Sequence, residues 1–296
     1  MNQIISTREP VESKLRQLED YLESLGPTAI AVSGGVDSMT LAIVACRIYP
    51  DSEVFHAVSA AVPPKATQRV REWGEKEGWF LHVIQAGEMS DPDYLANPTN
   101  RCYYCKTSLY KSIWQETTLP VISGTNSDDL NDFRPGLEAA ENFDVTHPYV
   151  AVGIDKRTVR GIAKLLNLDD LHELPAAPCL SSRITTGIAI DQTLLPLINA
   201  TEEQIWHSLG NDIQLTSVRC RIRKNAAVIE LETDDWEKIR EKEFDLRIRE
   251  IVEDIFTSGD YTEYCESVSI EPYRMGSAFV RADIPAENRI PARTED

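Results

Sequence analysis

Residues 10–25 place Leu15, Leu18, Tyr21, Leu22 and Leu25 at helical spacing, which predicts an amphipathic helix at the start of the chain. The pattern then changes. The five small or β-prone residues Thr28-Ala29-Ile30-Ala31-Val32 predict a buried strand, Ser33-Gly34-Gly35 predicts a loop, and the stretch from Asp37 to Tyr49 predicts a helix. Strand-like runs at 53–59, 80–85 and 119–123 alternate with helix-like runs at 65–77 and 103–115. Such alternation predicts an α/β fold, a parallel sheet with right-handed crossovers and helices on both faces. Its ligand crevice lies beyond the carboxyl ends of the strands.

The loop Ser123-Gly124-Thr125-Asn126-Ser127-Asp128-Asp129 also follows an apolar strand directly and should face that crevice. Next come a turn at Asp132-Phe133-Arg134-Pro135-Gly136, an acidic helix, a helix at 156–166 and a proline-rich stretch at 174–179. A helix at 192–209, strands at 217–223 and 226–231, a helical stretch from 234 to about 256 and a strand at 267–271 predict a smaller α+β domain. The expected division is therefore a nucleotide-binding domain over 1–186, a substrate or oligomerisation domain over 187–284, and a loosely held polar tail over 285–296.

With 296 residues, 42% apolar and 26% charged, the chain can bury a full core without disulfide staples. No stretch approaches the ~20 apolar residues needed to cross a bilayer, and the N-terminus lacks the apolar core of a signal peptide. A cytoplasmic protein without a membrane partner is expected, so its six cysteines are not read as a disulfide framework. The net charge of −18 argues against a nucleic-acid partner, because attraction of a phosphate backbone would have to overcome the overall field.

The strand, glycine loop and helix N-terminus around residues 33–38 make an anion site. Backbone N–H groups point into such a loop, Ser33 and Ser38 add hydroxyls, and Asp37 is placed to hold Mg²⁺. A plain glycine turn is the structural alternative. There is no Gly-Lys-Ser/Thr, so this is not a Walker loop. Ser33-Gly34-Gly35-Val36-Asp37-Ser38 resembles the PP-loop, SxGGxDS, of ATP pyrophosphatases. That resemblance implies adenylation of a substrate oxygen by ATP, release of pyrophosphate, and displacement of AMP by a nitrogen or sulfur nucleophile.

Cys102-Tyr103-Tyr104-Cys105 is a C-x-x-C, and Cys179 stands alone in Pro-Cys-Leu-Ser-Ser-Arg. Three thiolates can ligate three irons of a cubane cluster and leave the fourth open to exogenous sulfide. Structural zinc requires a fourth ligand that the sequence does not offer, a redox dithiol leaves Cys179 unexplained, and three inert buried cysteines are the plain alternative. Cys46 reads as core, and neither Cys220 nor Cys265 is assigned chemistry. Arg219 and Arg221, two apart on one strand, present two guanidinium forks suited to phosphate or carboxylate, or else form a solvated face. Ser182 and Arg183 follow Cys179 closely enough to share its site. Glu202 and Glu203 are read either as an acidic helix N-terminus or as metal or acid/base groups.

From the PP-loop to Ser277 the chain resembles the LarE sulfur transferases, which complete the nickel-pincer cofactor precursor of lactate racemase. The match rests on Ser33–Ser38, on Gly124, Thr125, Asn126, Asp128 and Asp129 with Arg134-Pro135-Gly136, and on Pro175-Ala176-Ala177-Pro178-Cys179-Leu180-Ser181-Ser182-Arg183-Ile184. Val218-Arg219-Cys220-Arg221 and Tyr273-Arg274-Met275-Gly276-Ser277 resemble two later signatures.

The resemblance implies ATP, Mg²⁺ and a pyridinium-3,5-biscarboxylic acid mononucleotide substrate, whose carboxylates are adenylated and converted to thiocarboxylates. It also implies a homo-oligomer, often a hexamer, and a source of sulfide. Cys102, Cys105 and Cys179 resemble the three-cysteine branch, in which a 4Fe-4S cluster carries the sulfide; sacrifice of the Cys179 sulfur is the fallback. Glu202 matches the active-site glutamate of the family, although Thr201 stands where the pattern has Ala. The segment 223–230 departs from the family pattern, which puts in doubt any role of its histidine or aspartate. A cluster-dependent PP-loop tRNA thiolase, a non-catalytic ATP sensor and an amide-forming synthetase are the rival readings.

Overall fold

Ala29, Ile30 and Ala31 are all buried, so the run after the first helix forms a strand with no face turned to water. The computed structural model describes residues 9–131, 134–210, 212–241, 244–274, 276 and 277. In chain order the first elements are α1 (Val11–Leu25), β1 (Ala29–Ala31), α2 (Val36–Ile48), β2 (Glu53–Ala57), α3 (Pro64–Glu77) and β3 (Phe80–Ile84). There follow α4 (Pro92–Leu95), α5 (Arg101–Glu116), β4 (Val121–Ser123), α6 (Pro135–Asn142), α7 (Pro148–Ala151), α8 (Lys156–Leu165) and α9 (Asp169–His172). The last are α10 (Leu194–Leu209), β5 (Val218–Arg223), β6 (Ala226–Leu231), α11 (Thr233–Glu241), α12 (Asp245–Ser258) and β7 (Val268–Pro272).

The chain forms two units. The first takes the residues up to Val58 with Pro64–Ala86 and Lys106–Ala176; the second takes Ser59–Pro63, Gly87–Cys105 and the chain from Ala177. The sequence places the division near Gly187, whereas the contacts divide the chain at Ala176 and give two earlier segments to the second unit. Buried polar bonds tie those segments in. The Asn97 amide donates to the carbonyls of Ile184, Thr185 and Ile188, and Leu180 N–H donates to the Ala61 carbonyl at 2.8 Å.

Among the described residues, the first unit holds a four-stranded sheet in the order β3-β2-β1-β4, parallel throughout. Alternate residues feed opposite cores. Ile30, Val54 and Ile122 pack with Leu18, Leu22, Met39 and Ile162, whereas Ala29, Phe55 and Val121 pack with Tyr110, Ile113 and Ala140. Helices therefore cover both faces, as the near-continuous apolar strands require. The chain runs outward from β1 to β2 to β3 and then returns to the other side of β1 with β4, which makes the β1/β4 junction the topological switch point. Ala31 pairs with Ser123, so the loops leaving both strands start at the same level.

Those two loops are jammed together. A Cβ on Gly124 would lie 2.7 Å from the Ser38 nitrogen and 2.8 Å from its Cα, so only glycine fits there. Gly34 has φ +82° and faces the Ala66 carbonyl, 2.8 Å from where its Cβ would be. Gly35 differs, with φ −83° and nothing nearer to its would-be Cβ than Ser33 Oγ at 3.5 Å. Below the loop, His56 is buried with Nδ1 3.0 Å from the Val32 carbonyl and Nε2 2.9 Å from Thr67 Oγ1. The carbonyl can only accept, so Nδ1 carries the proton and the Thr67 hydroxyl donates to Nε2.

Among the described residues, the second unit holds a three-stranded sheet in the order β5-β6-β7. β5 and β6 form an antiparallel hairpin turning at Lys224-Asn225, with Asn225 at φ +54°, and β7 runs parallel to β6. Ile198, Ile205 and Leu209 of α10 and Ile248, Val252 and Phe256 of α12 pack with Cys220, Ile222 and Ile229. The helical stretch expected from 234 to 256 is two helices. A continuous helix would put Leu246 on the face of Ile239, seven residues earlier, yet Ile239 is buried and Leu246 is 72% exposed. The expected tail at 285–296, the turn residues Asp132 and Phe133, and Met275 lie outside the described residues. No helix among the described residues is long and apolar enough to cross a membrane.

Gly124→Ala should lower stability by about 1–3 kcal/mol through overpacking, against about 0.5 kcal/mol for Gly35→Ala from the loss of a favoured cap residue. Urea denaturation of the two variants checks this; equal losses would contradict the close packing at Gly124. Burial holds the pKa of both His56 and His147 below the ordinary 6.5, helped at His56 by Arg71 and at His147 by Lys106. Both are neutral in the folded protein and take up a proton more readily when unfolded. The stability they contribute is complete above pH 6.5 and declines as pH falls through the folded pKa values. His56→Asn should remove part of that decline in urea midpoints measured between pH 8 and about pH 5.

Candidate functional site

In the first unit the glycine loop braces itself. Ser38 Oγ is buried, accepts from Ser33 N–H at 3.0 Å, donates to the Gly35 carbonyl at 3.2 Å and lies 3.2 Å from Ser33 Oγ. Arg69, on α3, donates to the Gly34 carbonyl at 2.8 Å and pins the loop from outside. The protein itself does not require glycine at position 35, so the missing side chain there leaves room beside the N-terminus of α2 for a ligand to approach.

Asp37 sits in the first turn of α2, where the helix dipole favours a carboxylate. Its Oδ1 accepts from Asn126 Nδ2 at 3.3 Å, and its Oδ2 is ion-paired with Lys156 Nζ. The loop after β4 is fixed by its own side chains. Asn126 N–H donates to Asp129 Oδ2, Asp128 N–H to Asn126 Oδ1, and Lys156 N–H to Asp128 Oδ2, each at 3.0–3.1 Å. Arg134 pairs with Asp129 Oδ1 at 2.6 Å. Thr125 joins a second chain, with its Oγ1 3.1 Å from Ser123 Oγ, which lies 2.9 Å from His147 Nδ1.

The structure thus brings Asp37, Asn126, Asp128, Asp129 and Arg134 into one network and adds Lys156, which the sequence reading missed. A signal was present. Lys156 and Arg157 open a helix, so the Lys156 charge opposes the dipole, and the acid beside it, Asp155, is used to cap the Thr158 N–H.

In the second unit Cys102 is exposed and Cys105 half-buried, both within the first two turns of α5 and three residues apart, hence on one face. Cys179 is exposed and stands immediately before the 3-10 turn Leu180–Arg183. That turn is clamped. Tyr94 OH lies 2.7 Å from Ser181 Oγ, and the Cys179 carbonyl accepts from Ser182 Oγ at 2.7 Å and from Ser182 N–H at 3.0 Å. Arg183 Nη1 donates to the Pro178 carbonyl at 2.9 Å, and its Nε and Nη2 form a fork to Glu202 at 2.8 and 3.0 Å.

Burial works against the charge on Arg183, but the Glu202 carboxylate more than offsets it, and the pKa lies above the ordinary value. Tyr94 is held well above the usual phenol range by burial first, and then by Cys179 and Cys105. One buried hydroxyl therefore lies within electrostatic range of both sulfurs. Asn97 staples the two cysteine-bearing segments, since besides its three bonds to residues 184–188 its Oδ1 accepts from Arg101 Nη1 at 2.8 Å. Tyr94 and Asn97 were not singled out from sequence.

Glu202 is not an acidic helix N-terminus; it lies in the middle of α10, because Leu194, Leu195 and Ile198 already form buried turns before it. Its carboxylate also accepts from Cys220 N–H at 2.9 Å, so it acts as a structural clamp on Arg183 and β5. Cys46 and Cys220 are buried in the apolar cores. Burial pushes the Cys46 thiol up to about 12 and holds the Cys220 thiol well above its ordinary value, which leaves both without nucleophilic character.

Arg219 and Arg221 are buried rather than solvated. Arg221 is spent on Glu230 Oε2 at 2.7 Å and on the Ser182 carbonyl. Arg219 stacks its guanidinium 3.7 Å from the Tyr273 ring centre, and its buried Nη1 has no hydrogen-bond partner among the described residues. Glu230, which also receives Ser277 Oγ at 3.0 Å and Arg223 at 3.4 Å, was missed; a lone charge in the apolar strand Ala226–Leu231 was its signal. Among the described residues no three His, Cys, Asp or Glu side chains are grouped so as to hold a metal ion.

No family model matches the chain. The uncharacterized protein slr1717 of Synechocystis is 34% identical over 272 residues, covering 90% of this chain and 97% of that protein. The uncharacterized protein MJ0830 of Methanocaldococcus jannaschii is 31% identical over 226 residues, covering 72% and 81%. The pyridinium-3,5-bisthiocarboxylic acid mononucleotide synthase of Lactiplantibacillus plantarum is 25% identical over 225 residues, covering 74% and 79%. Together with the parallel sheet and its two glycine-bearing loops, these relatives show that the chain belongs to the family of slr1717 and MJ0830, a LarE-like family.

Proposed function

We propose that this chain is an ATP-dependent sulfurtransferase that converts carboxylates of a pyridinium mononucleotide to thiocarboxylates. The observation that carries the reading is Cys179, an exposed thiol on a turn clamped by Arg183, Glu202 and Tyr94. Clamping the backbone on both sides of an exposed sulfur costs chain entropy, which an inert cysteine does not require. The distant relationship to the L. plantarum synthase supports the same chemistry.

In the first step a substrate carboxylate oxygen forms a bond to the α-phosphorus of ATP, the bond to the β-phosphate oxygen breaks, and its electron pair leaves with pyrophosphate. The N-terminus of α2 and the bare backbone at Gly35 receive the pyrophosphate charge. Asp37 would hold Mg²⁺ together with the nucleotide's own phosphates, because a magnesium ion takes few protein ligands and Asp37 stands in the first turn of α2, directly after the glycine loop. In the second step a sulfur nucleophile attacks the acyl carbon and AMP leaves. Arg219, stacked on Tyr273 and with one N–H unspent, binds the phosphate of the mononucleotide. Arg221 and Glu202 position rather than bind, holding Arg219's strand and the Cys179 turn in place.

The thiols proposed to act together are Cys102, exposed, Cys105, half-buried against the core of the second unit, and Cys179, exposed, on two segments that Asn97 staples. A 4Fe-4S cluster on these three would supply an open iron site for exogenous sulfide.

Anaerobic purification should yield iron and acid-labile sulfide, and Cys102→Ala, Cys105→Ala and Cys179→Ala should each lower the iron content by more than half. With ATP, Mg²⁺, sulfide and pyridinium-3,5-biscarboxylic acid mononucleotide, AMP and pyrophosphate should form in step with thiocarboxylate. Unchanged iron in every variant overturns the cluster. A metal-free protein in which only Cys179→Ala abolishes a single turnover establishes sacrifice of the Cys179 sulfur instead.

A further inference from the structure

The ion pair between Lys156 and Asp37 sets a charge of each sign at the mouth of the glycine loop. We infer that Lys156 is the counter-charge for the pyrophosphate of the bound nucleotide, held in waiting by Asp37 until magnesium takes that carboxylate. The inference rests on the proposed role of the glycine loop in binding ATP.

Lys156 is poorly placed for a purely structural role. It begins α8, with Arg157 next, so the helix dipole works against its charge, and the neighbouring acid Asp155 is taken up in capping the Thr158 N–H. Asp37 has less need of it, being favoured by the N-terminus of α2 and bonded to Asn126. The two side chains are only partly covered, Lys156 at 35% exposure and Asp37 at 23%, so an incoming ligand can exchange their partners. Packing fixes the point from which the ammonium is delivered. The backbone N–H of Lys156 is bonded to Asp128, itself fixed by Asn126, while Val159, Ile162 and Ala163 bury the face of α8. From there a four-carbon stem carries a compact charge that can swing from a carboxylate to a phosphate oxygen.

The exchange is balanced. Alone, Asp37 would repel a triphosphate; paired, it presents no net charge. When magnesium nucleotide enters, the carboxylate faces the cation and the ammonium faces the phosphates, so each charge keeps an opposite partner. As the bond between the α-phosphorus and the bridging oxygen breaks, negative charge grows on the departing pyrophosphate, and Lys156 is positioned to neutralise it without transferring a proton.

The test compares the full-length parent, Lys156→Gln and Lys156→Arg in two measurements. Calorimetric titration with magnesium pyrophosphate and magnesium ATP should show binding weakened about tenfold or more in Lys156→Gln and within about threefold of the parent in Lys156→Arg. Titration with Mn²⁺ alone, followed by electron paramagnetic resonance, should show tighter binding to Lys156→Gln than to the parent, because Asp37 is released. A misfolded variant cannot show that gain. If Lys156→Gln binds magnesium pyrophosphate as tightly as the parent does, or gains no Mn²⁺ affinity, the role of Lys156 is refuted while the ATP reading stands. If the parent binds neither ATP nor pyrophosphate, both fall.

Discussion

A backbone contact between two loops governs the first unit. Gly124 lies so close to the first turn of α2 that no side chain fits between them, and this closeness brings the Asn126 amide to the Asp37 carboxylate. It is available only because β1 and β4 are neighbours with their last residues in register. Had the strand order placed β4 elsewhere, the same two sequences would have made two unrelated loops. The sheet topology therefore turns a glycine bend into a charged cluster, with Asp37, Lys156 and the acidic loop braced by one another.

The second unit solves a different problem, that of keeping cations inside a protein with a net charge of −18. Arg183 and Arg221 are buried, and each is matched by a glutamate on a neighbouring element, Glu202 and Glu230. Removing one member of such a buried pair costs about 3–5 kcal/mol, since the other is left charged and alone, although the intact pair adds little net stability. Their value is geometric. One pair fixes the backbone on either side of Cys179, and the other fixes the strand that carries Arg219. Arg219 breaks the rule, because it has a ring for a neighbour and a buried N–H without a bond.

The strands, the long helices and the glycine loop were legible because each leaves a local trace. Val54 and Phe55 or Ile122 and Val121 show period-two burial into opposite cores, and Leu15, Leu18 and Leu22 show helical spacing. What could not be read depends on distant segments meeting. Lys156 lies 119 residues from Asp37, Tyr94 lies 87 residues from Ser181, and no local pattern links either pair. The two compact units differ from the expected division for the same reason: Ala61 and Asn97 lie within a stretch of alternating strands and helices, and only their bonds to residues 180–188 reveal where they belong. The burial of Arg219 and Arg221 was likewise hidden, because a strand with alternating arginines reads as an outer face until the glutamate opposite is known.

The discontinuous second unit has a consequence for how the chain comes into being. By the time Ala176 has left the ribosome, every segment of the first unit has been synthesised, and domains tend to fold as they emerge. The segment Gly87–Cys105 must wait. Its partners, from Ala177 onward, are made more than seventy residues later, so Asn97 and Tyr94 remain without their bonds to residues 181–188 through that interval. Birth order thus separates the two halves of the molecule: the half that holds the glycine loop can mature early, and the half that carries Cys179 is completed only near the end of translation.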